Sequence, residues 1–166
     1  MAKRELNVEF ERFDSILSNS ELEIINLQWG GGDLASWHRV TNESYINKGL
    51  EDFEDYPLQI DVFSLEHKAI YRLKFSYLQG FRLLDEGGLL EFWVSKEYDY
   101  DKLGSLIKVK YSPWREESIV PFAVTNEYSF LIVTCNECVE VITDDTPKIE
   151  FVKEVEVKKG NIFGED

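Results

Sequence analysis

From residue 58 onward the chain keeps returning to one pattern, and that pattern restricts the fold more than any other feature. Gln59-Ile-Asp-Val-Phe-Ser-Leu65 alternates polar and apolar side chains. Ala69-Ile-Tyr-Arg-Leu-Lys-Phe-Ser-Tyr-Leu78 does the same, with Tyr71, Leu73, Phe75 and Tyr77 on one face. Alternation is the period of a strand with one face buried and the other wetter. The polar Glu66-His67-Lys68 between the two predicts a turn, and hence a hairpin. Tyr128-Ser-Phe-Leu-Ile-Val-Thr134 and Val139-Glu-Val-Ile-Thr143 are β-branched runs joined around Cys135-Asn136-Glu137-Cys138. Lys148 to Val157 alternates again after the turn residues Asp144-Asp145-Thr146-Pro147, so these three runs are expected to form an antiparallel meander.

The remaining elements follow from local signals. Leu6, Phe10, Phe13 and Leu17 are spaced four, three and four apart, which predicts an amphipathic helix over Glu5–Ser18. Leu22 to Trp29 reads as a strand closed by Gly30-Gly31-Gly32. A short helix is expected around Asn47–Phe53. Phe81–Leu84 and Leu89–Val94 flank Asp85-Glu86-Gly87-Gly88, a second hairpin signal. Residues 103–111 form another strand candidate. Ser112-Pro113 then opens a short helix, with serine as cap and proline at the first helical position, ending before Pro121. The fold class is α+β: a mostly antiparallel β-sheet with one or two covering helices. No repeat, linker or low-complexity tract divides the chain, so residues 1–166 are expected to be a single domain, with a loose tail at 158–166.

Composition narrows the function classes. With 43% hydrophobic and 14% aromatic residues the chain is globular. No run is long enough for a membrane-spanning helix. The opening Met-Ala-Lys-Arg-Glu-Leu-Asn has no apolar stretch behind its basic residues, so no secretory signal is expected. Two cysteines cannot make a disulfide framework, and a cytoplasmic location is the expectation.

Charge is the one extreme value, −14. Residues 43–61 carry Glu43, Glu51, Asp52, Glu54, Asp55 and Asp61 against Lys48, a local −5. Residues 85–101 carry Asp85, Glu86, Glu91, Glu97, Asp99 and Asp101 against Lys96, again −5. Residues 127–150 carry Glu127, Glu137, Glu140, Asp144, Asp145 and Glu150 against Lys148, a third −5. A surface of this sign repels phosphate backbones, which argues against direct nucleic-acid binding, and attracts basic proteins. It also serves solubility. If the three stretches converge in the fold, they form a face for a cationic protein.

Chemical constellations are sparse. Cys135 and Cys138 could be half of a zinc site completed by His38 and His67, but the histidines lie far apart in different turns. Cysteines in a hairpin also lack the helix N-terminus that activates a redox dithiol. Asp85-Glu86 and Asp144-Asp145 fit turns better than acid–base pairs. Gly30-Gly31-Gly32-Asp33 lacks the lysine and spacing of a phosphate loop. No catalytic residue, metal or cofactor is therefore expected. Aromatic side chains near acids are the better candidates, because interfaces favour aromatic anchors rimmed by charge. Trp93 and Phe53 are assigned to the core, whereas Tyr98 and Tyr100 alternate with Asp99 and Asp101 and are harder to bury. The expected partner-binding residues are Asp52, Glu54, Asp55, Glu97, Tyr98, Asp99, Tyr100 and Asp101.

Two stretches carry a resemblance. Leu73 to Trp93 contains Arg82-Leu-Leu-Asp-Glu-Gly-Gly-Leu89 followed by Trp93, and Phe130 to Ile142 contains Asn136-Glu-Cys-Val-Glu-Val141. Both are similar to segments of the immunity proteins that accompany bacterial polymorphic toxins, including those of contact-dependent growth inhibition. The likeness covers about a fifth of the chain. It implies a non-enzymatic inhibitor of a toxin domain, often a nuclease, whose basic cleft suits an acidic partner. The rival expectations are a general protein-interaction domain, or an enzyme whose carboxylates or Cys/His set only the fold assembles.

Overall fold

The structure is a computed structural model that describes residues 7–30, 55–116 and 128–157. Nine strands occupy these residues: β1 (Glu9–Arg12), β2 (Leu22–Trp29), β3 (Leu58–Ser64), β4 (Ala69–Phe75), β5 (Gly80–Asp85), β6 (Leu106–Lys110), β7 (Tyr128–Val133), β8 (Glu137–Ile142) and β9 (Lys148–Glu154). Three short helices, α1 (Leu90–Trp93), α2 (Tyr100–Leu103) and α3 (Pro113–Glu116), and a 3-10 turn at Glu86–Leu89 complete them. All pairings are antiparallel, in two sheets ordered β1-β6-β7-β8-β5 and β2-β3-β4-β9. The α+β expectation, mostly antiparallel with small helices on a face, holds.

Period-two patterning sorts the side chains into layers. Between the sheets lie Leu58, Ile60 and Val62 of β3 and Tyr71, Leu73 and Phe75 of β4, against Phe130 and Ile132 of β7 and Val139 and Val141 of β8. The intervening residues of the five-stranded sheet point the other way. Ile107, Val109, Leu131, Val133 and Cys138 are covered there by Leu89, Phe92 and Leu103 from the helical segments. Both faces of β7 and β8 are thus buried, which is why Phe130-Leu-Ile-Val133 reads as a continuous apolar run.

Four expectations are corrected. The N-terminal helix is not formed: residues 9–12 are strand β1, paired with β6 from Glu9↔Lys110 to Arg12↔Ile107. Val8 and Phe10 both pack beneath the helices, so the alternation Val8-Glu9-Phe10-Glu11 prevails over the helical spacing. The hairpin across Asp85–Gly88 is likewise absent. β5 pairs with β8 instead, and residues 86–93 are helical. The physical cause is Asp85, whose carboxylate accepts from Gly87 N at 2.6 Å and so opens a helical turn. The terminal meander is split: β7 and β8 form a hairpin, while β9 crosses to the other sheet and pairs with β4. Thr143 and Asp145 turn the chain there, with Thr143 Oγ1 donating to Tyr77 O and Ser76 Oγ donating to Asp145 at 3.0 Å. The helix at Pro113 forms, but the link to Ser112 is its carbonyl, which accepts from Arg115 N at 3.0 Å, rather than a side-chain cap. The helix expected at 47–53, the stop at Pro121 and the tail at 158–166 lie outside the described residues.

Candidate functional site

The site begins where β5 ends. Past Asp85, the 3-10 turn and α1 lay Leu89 and Phe92 onto the outer face of the five-stranded sheet, and Leu90 and Val94 are left exposed. The chain turns at Ser95, whose carbonyl accepts from Tyr98 N at 3.2 Å, and enters α2, closed by Leu103 N donating to Asp99 O at 2.9 Å. An aromatic cluster fixes this loop. Phe10 meets Phe92 and Tyr98 edge-on with centroids at 5.6 and 5.5 Å, and Trp93 meets Tyr98 at 4.7 Å. Such contacts are favoured over face-to-face stacking.

Between this loop and the sheet ends is a pocket of about 270 Å³. Trp93, Tyr98 and Tyr100 line one side, and Glu21, Leu22, Val133, Thr134 and Cys135 the other. The second wall is built by long-range pairing: Ser105 N donates to Ser18 O at 3.2 Å and Val133 N to Ser105 O at 2.8 Å. The Tyr100 hydroxyl lies 3.2 Å from Ser105 Oγ. Cys135 Sγ donates to Glu21 Oε1 at 3.1 Å. Behind Glu21, the Glu66 carboxylate accepts from Ser20 Oγ at 2.5 Å and Glu21 N at 2.9 Å. The serine hydroxyl is the main reason the Glu66 carboxyl is held below the usual carboxylate range. Burial pushes the Tyr98 phenol well above its ordinary value, so the ring stays neutral across the physiological range.

The eight expected binding residues are distributed unequally. Glu97, Tyr98, Asp99, Tyr100 and Asp101 form the loop and first turn of α2 at this pocket, with Tyr98 and Tyr100 in its wall. Asp99 is ion-paired with Lys102 at 3.2 Å. Asp55 does not join them. It precedes β3 at Leu58, whereas the pocket adjoins Leu22, which pairs with Ser64 at the other end of that strand. A seven-residue strand, about 20 Å long, separates the two ends. Asp52 and Glu54 lie outside the described residues.

Among the described residues the acidic stretches do not form one continuous unpaired face, because several of their carboxylates are matched with bases; Glu43, Glu51 and Glu127 lie outside those residues. Asp61 is buried and bridged to Arg72 at 2.7 and 2.9 Å. Glu140, fully buried, takes Arg82 at 2.7 Å and Ser129 Oγ at 2.5 Å, with Arg82 lying 5.0 Å from the Trp114 ring. Glu150 binds Lys148 at 2.6 Å and Lys74 at 3.3 Å. What does converge is Asp85 of the second stretch with Glu137 of the third, which are cross-strand partners at the pocket end of β5 and β8. Like charges directly opposite cost stability.

Sequence reasoning missed Glu21 and Cys135 as pocket residues; Trp93, assigned to the core, does pack against the outer core cluster and also lines the pocket. Trp93 is half-buried with its outer surface in the pocket. Its place in the segment Arg82–Trp93 was the available signal. Glu21 has no local signal, since sheet pairing alone brings it to Cys135. The proposed Cys/His set is not assembled: Cys135 is exposed at the pocket, Cys138 is buried under the helices, and the His67 ring lies 3.0 Å from Ile16 O and against Tyr71. Among the described residues no group of three or more His, Cys, Asp or Glu could hold a metal ion, and His38 lies outside them. No helix of the described residues is long and apolar enough to cross a membrane.

Comparison with protein-family models, curated proteins and solved structures found no match for this chain.

Proposed function

We propose that this chain is a non-enzymatic acidic binding protein, an immunity-type protein that neutralises a basic toxin domain in the bacterial cytoplasm. One observation carries the reading: an aromatic pocket formed by Trp93, Tyr98 and Tyr100 is also lined by Glu21, with Glu97 and Asp101 on the same loop and Asp85 paired with Glu137 across the ends of β5 and β8. Aromatic anchors within a charged rim suit a protein interface, and the negative rim steers a basic partner. The resemblance of Arg82–Trp93 and Asn136–Val141 to immunity proteins supports the same reading, since both segments border this pocket.

The test is kinetic. On this proposal a basic toxin domain is encoded beside this gene, and it should bind below micromolar at physiological salt. The association rate should fall at least about tenfold from low to high ionic strength, and again in Glu97→Lys/Asp101→Lys. A basic toxin domain that fails to bind would end the proposal. A rate indifferent to salt and to the charge reversals would remove the steering role of this rim.

A further inference from the structure

We infer that the pocket walled by Trp93, Tyr98 and Tyr100 receives one arginine side chain, its guanidinium laid against the aromatic rings and paired with Glu21. The inference rests on the proposed function for the source of that arginine, a basic partner protein.

Size is the first argument. At about 270 Å³ the pocket falls below the range of roughly 300–1,000 Å³ typical of small-molecule sites, and it suits a single inserted side chain. The chemistry of its walls is the second. Trp is the strongest and Tyr the next aromatic surface for a cation, and three such rings face one cavity. Glu21 supplies the counter-charge. It is exposed, its Oε1 already accepts from Cys135 Sγ, and among the described residues no lysine or arginine is ion-paired with it. Geometry then selects arginine over lysine. A planar, weakly hydrated guanidinium can stack on a ring while its N–H fork meets a carboxylate, whereas a compact ammonium holds its water more strongly. A neutral apolar side chain would fill the cavity but supply no counter-charge to Glu21 at its edge.

The test uses the full-length protein and three small probes: N-acetyl-arginine methylamide and its lysine and citrulline counterparts. The indole N–H signal of Trp93, assigned by its absence in Trp93→Phe, is followed by NMR. The arginine compound should shift that signal and bind about fivefold more tightly than the citrulline or lysine compound. Glu21→Gln, an exposed and conservative change, should abolish most of that preference. Equal responses to arginine and citrulline, or no change in Glu21→Gln, would overturn the inference. Repeating the comparison with the basic toxin domain separates the two ideas. A domain that binds wild type and Glu21→Gln equally overturns the arginine pocket but leaves the binding function intact. Arginine-selective shifts at Trp93 with no toxin-domain binding uphold the pocket and overturn the function.

Discussion

A methyl group at position 104 has nowhere to go. Gly104 has φ +72° between α2 and β6, and a Cβ there would lie 1.9 Å from Ser18 O. Gly104→Ala combines left-handed strain with a backbone collision, and should lower the stability measured by urea unfolding by about 2 kcal/mol or more. The Arg82–Glu140 pair gives an ordered prediction. Glu140 is wholly buried while Arg82 retains some exposure. Arg82→Leu, which strands the carboxylate, should therefore cost about 3–5 kcal/mol. Glu140→Leu should cost less, because Arg82 can turn towards water, and the double variant should be more stable than Arg82→Leu alone. A double variant no more stable than Arg82→Leu would contradict this. Titration at the pocket has a definite sign. The Tyr98 phenol is raised above its ordinary 10.0, so the folded state keeps the proton when the unfolded chain has lost it. Its contribution is fully present below pH 10 and is lost as the pH rises beyond that. Tyr98→Phe should flatten the alkaline decline in thermal midpoint. Glu66 acts oppositely: its carboxyl is lowered, so its contribution holds at neutral pH and is lost as the pH falls through the carboxylate range, a decline that Glu66→Gln should blunt.

Among the elements, α1 is a single turn that has no stability of its own and depends on what it buries. Phe92 is completely buried beneath it, against Phe10 and the outer face of the sheet. Phe92→Ala should destabilise the fold by about 3–5 kcal/mol in denaturant titration and loosen the Trp93 wall, so the tryptophan's indole signal should broaden. This same element shows where sequence reading succeeds and where it stops. β3 and β4 were legible from their alternation, β7 and β8 from their β-branched runs, β2 from the glycines that close it, and the β3–β4 hairpin because its turn is local. The N-terminal strand was misread because Phe10, Phe13 and Leu17 fit a helix, and only β6, a hundred residues later, makes a strand of residues 9–12. β9 was recognised as a strand but given the wrong neighbour, because alternation specifies a face and not a partner. For the site, Tyr98 and Tyr100 were legible from their alternation with Asp99 and Asp101. Asp61, Glu140 and Glu150 counted equally as surface charge until pairing with Arg72, Arg82 and Lys148 took them out of it. A one-dimensional charge count cannot distinguish a carboxylate in water from one tied to a base.

At the scale of the whole molecule, each sheet is closed by strands distant in sequence: β1 with β6 and β5 with β8 in one, β4 with β9 in the other. The pocket depends on that closure, since its walls come from the start of β2, the loop around Tyr98 and the β7–β8 turn. Among the described residues, the charge without an ion-pair partner at this end is borne by loops and strand termini, so a partner meets carboxylates carried on a framework already assembled. The place of β9 has a further consequence during biosynthesis. When a ribosome has made residues 58–75, the β3–β4 hairpin can form, yet the outer margin of β4 stays bare until residues 148–154 emerge. Through that interval a nascent chain offers a ready template for foreign strands. Polysomes translating this message should therefore carry their greatest aggregation hazard after residue 75 has been made and before residue 154 has emerged.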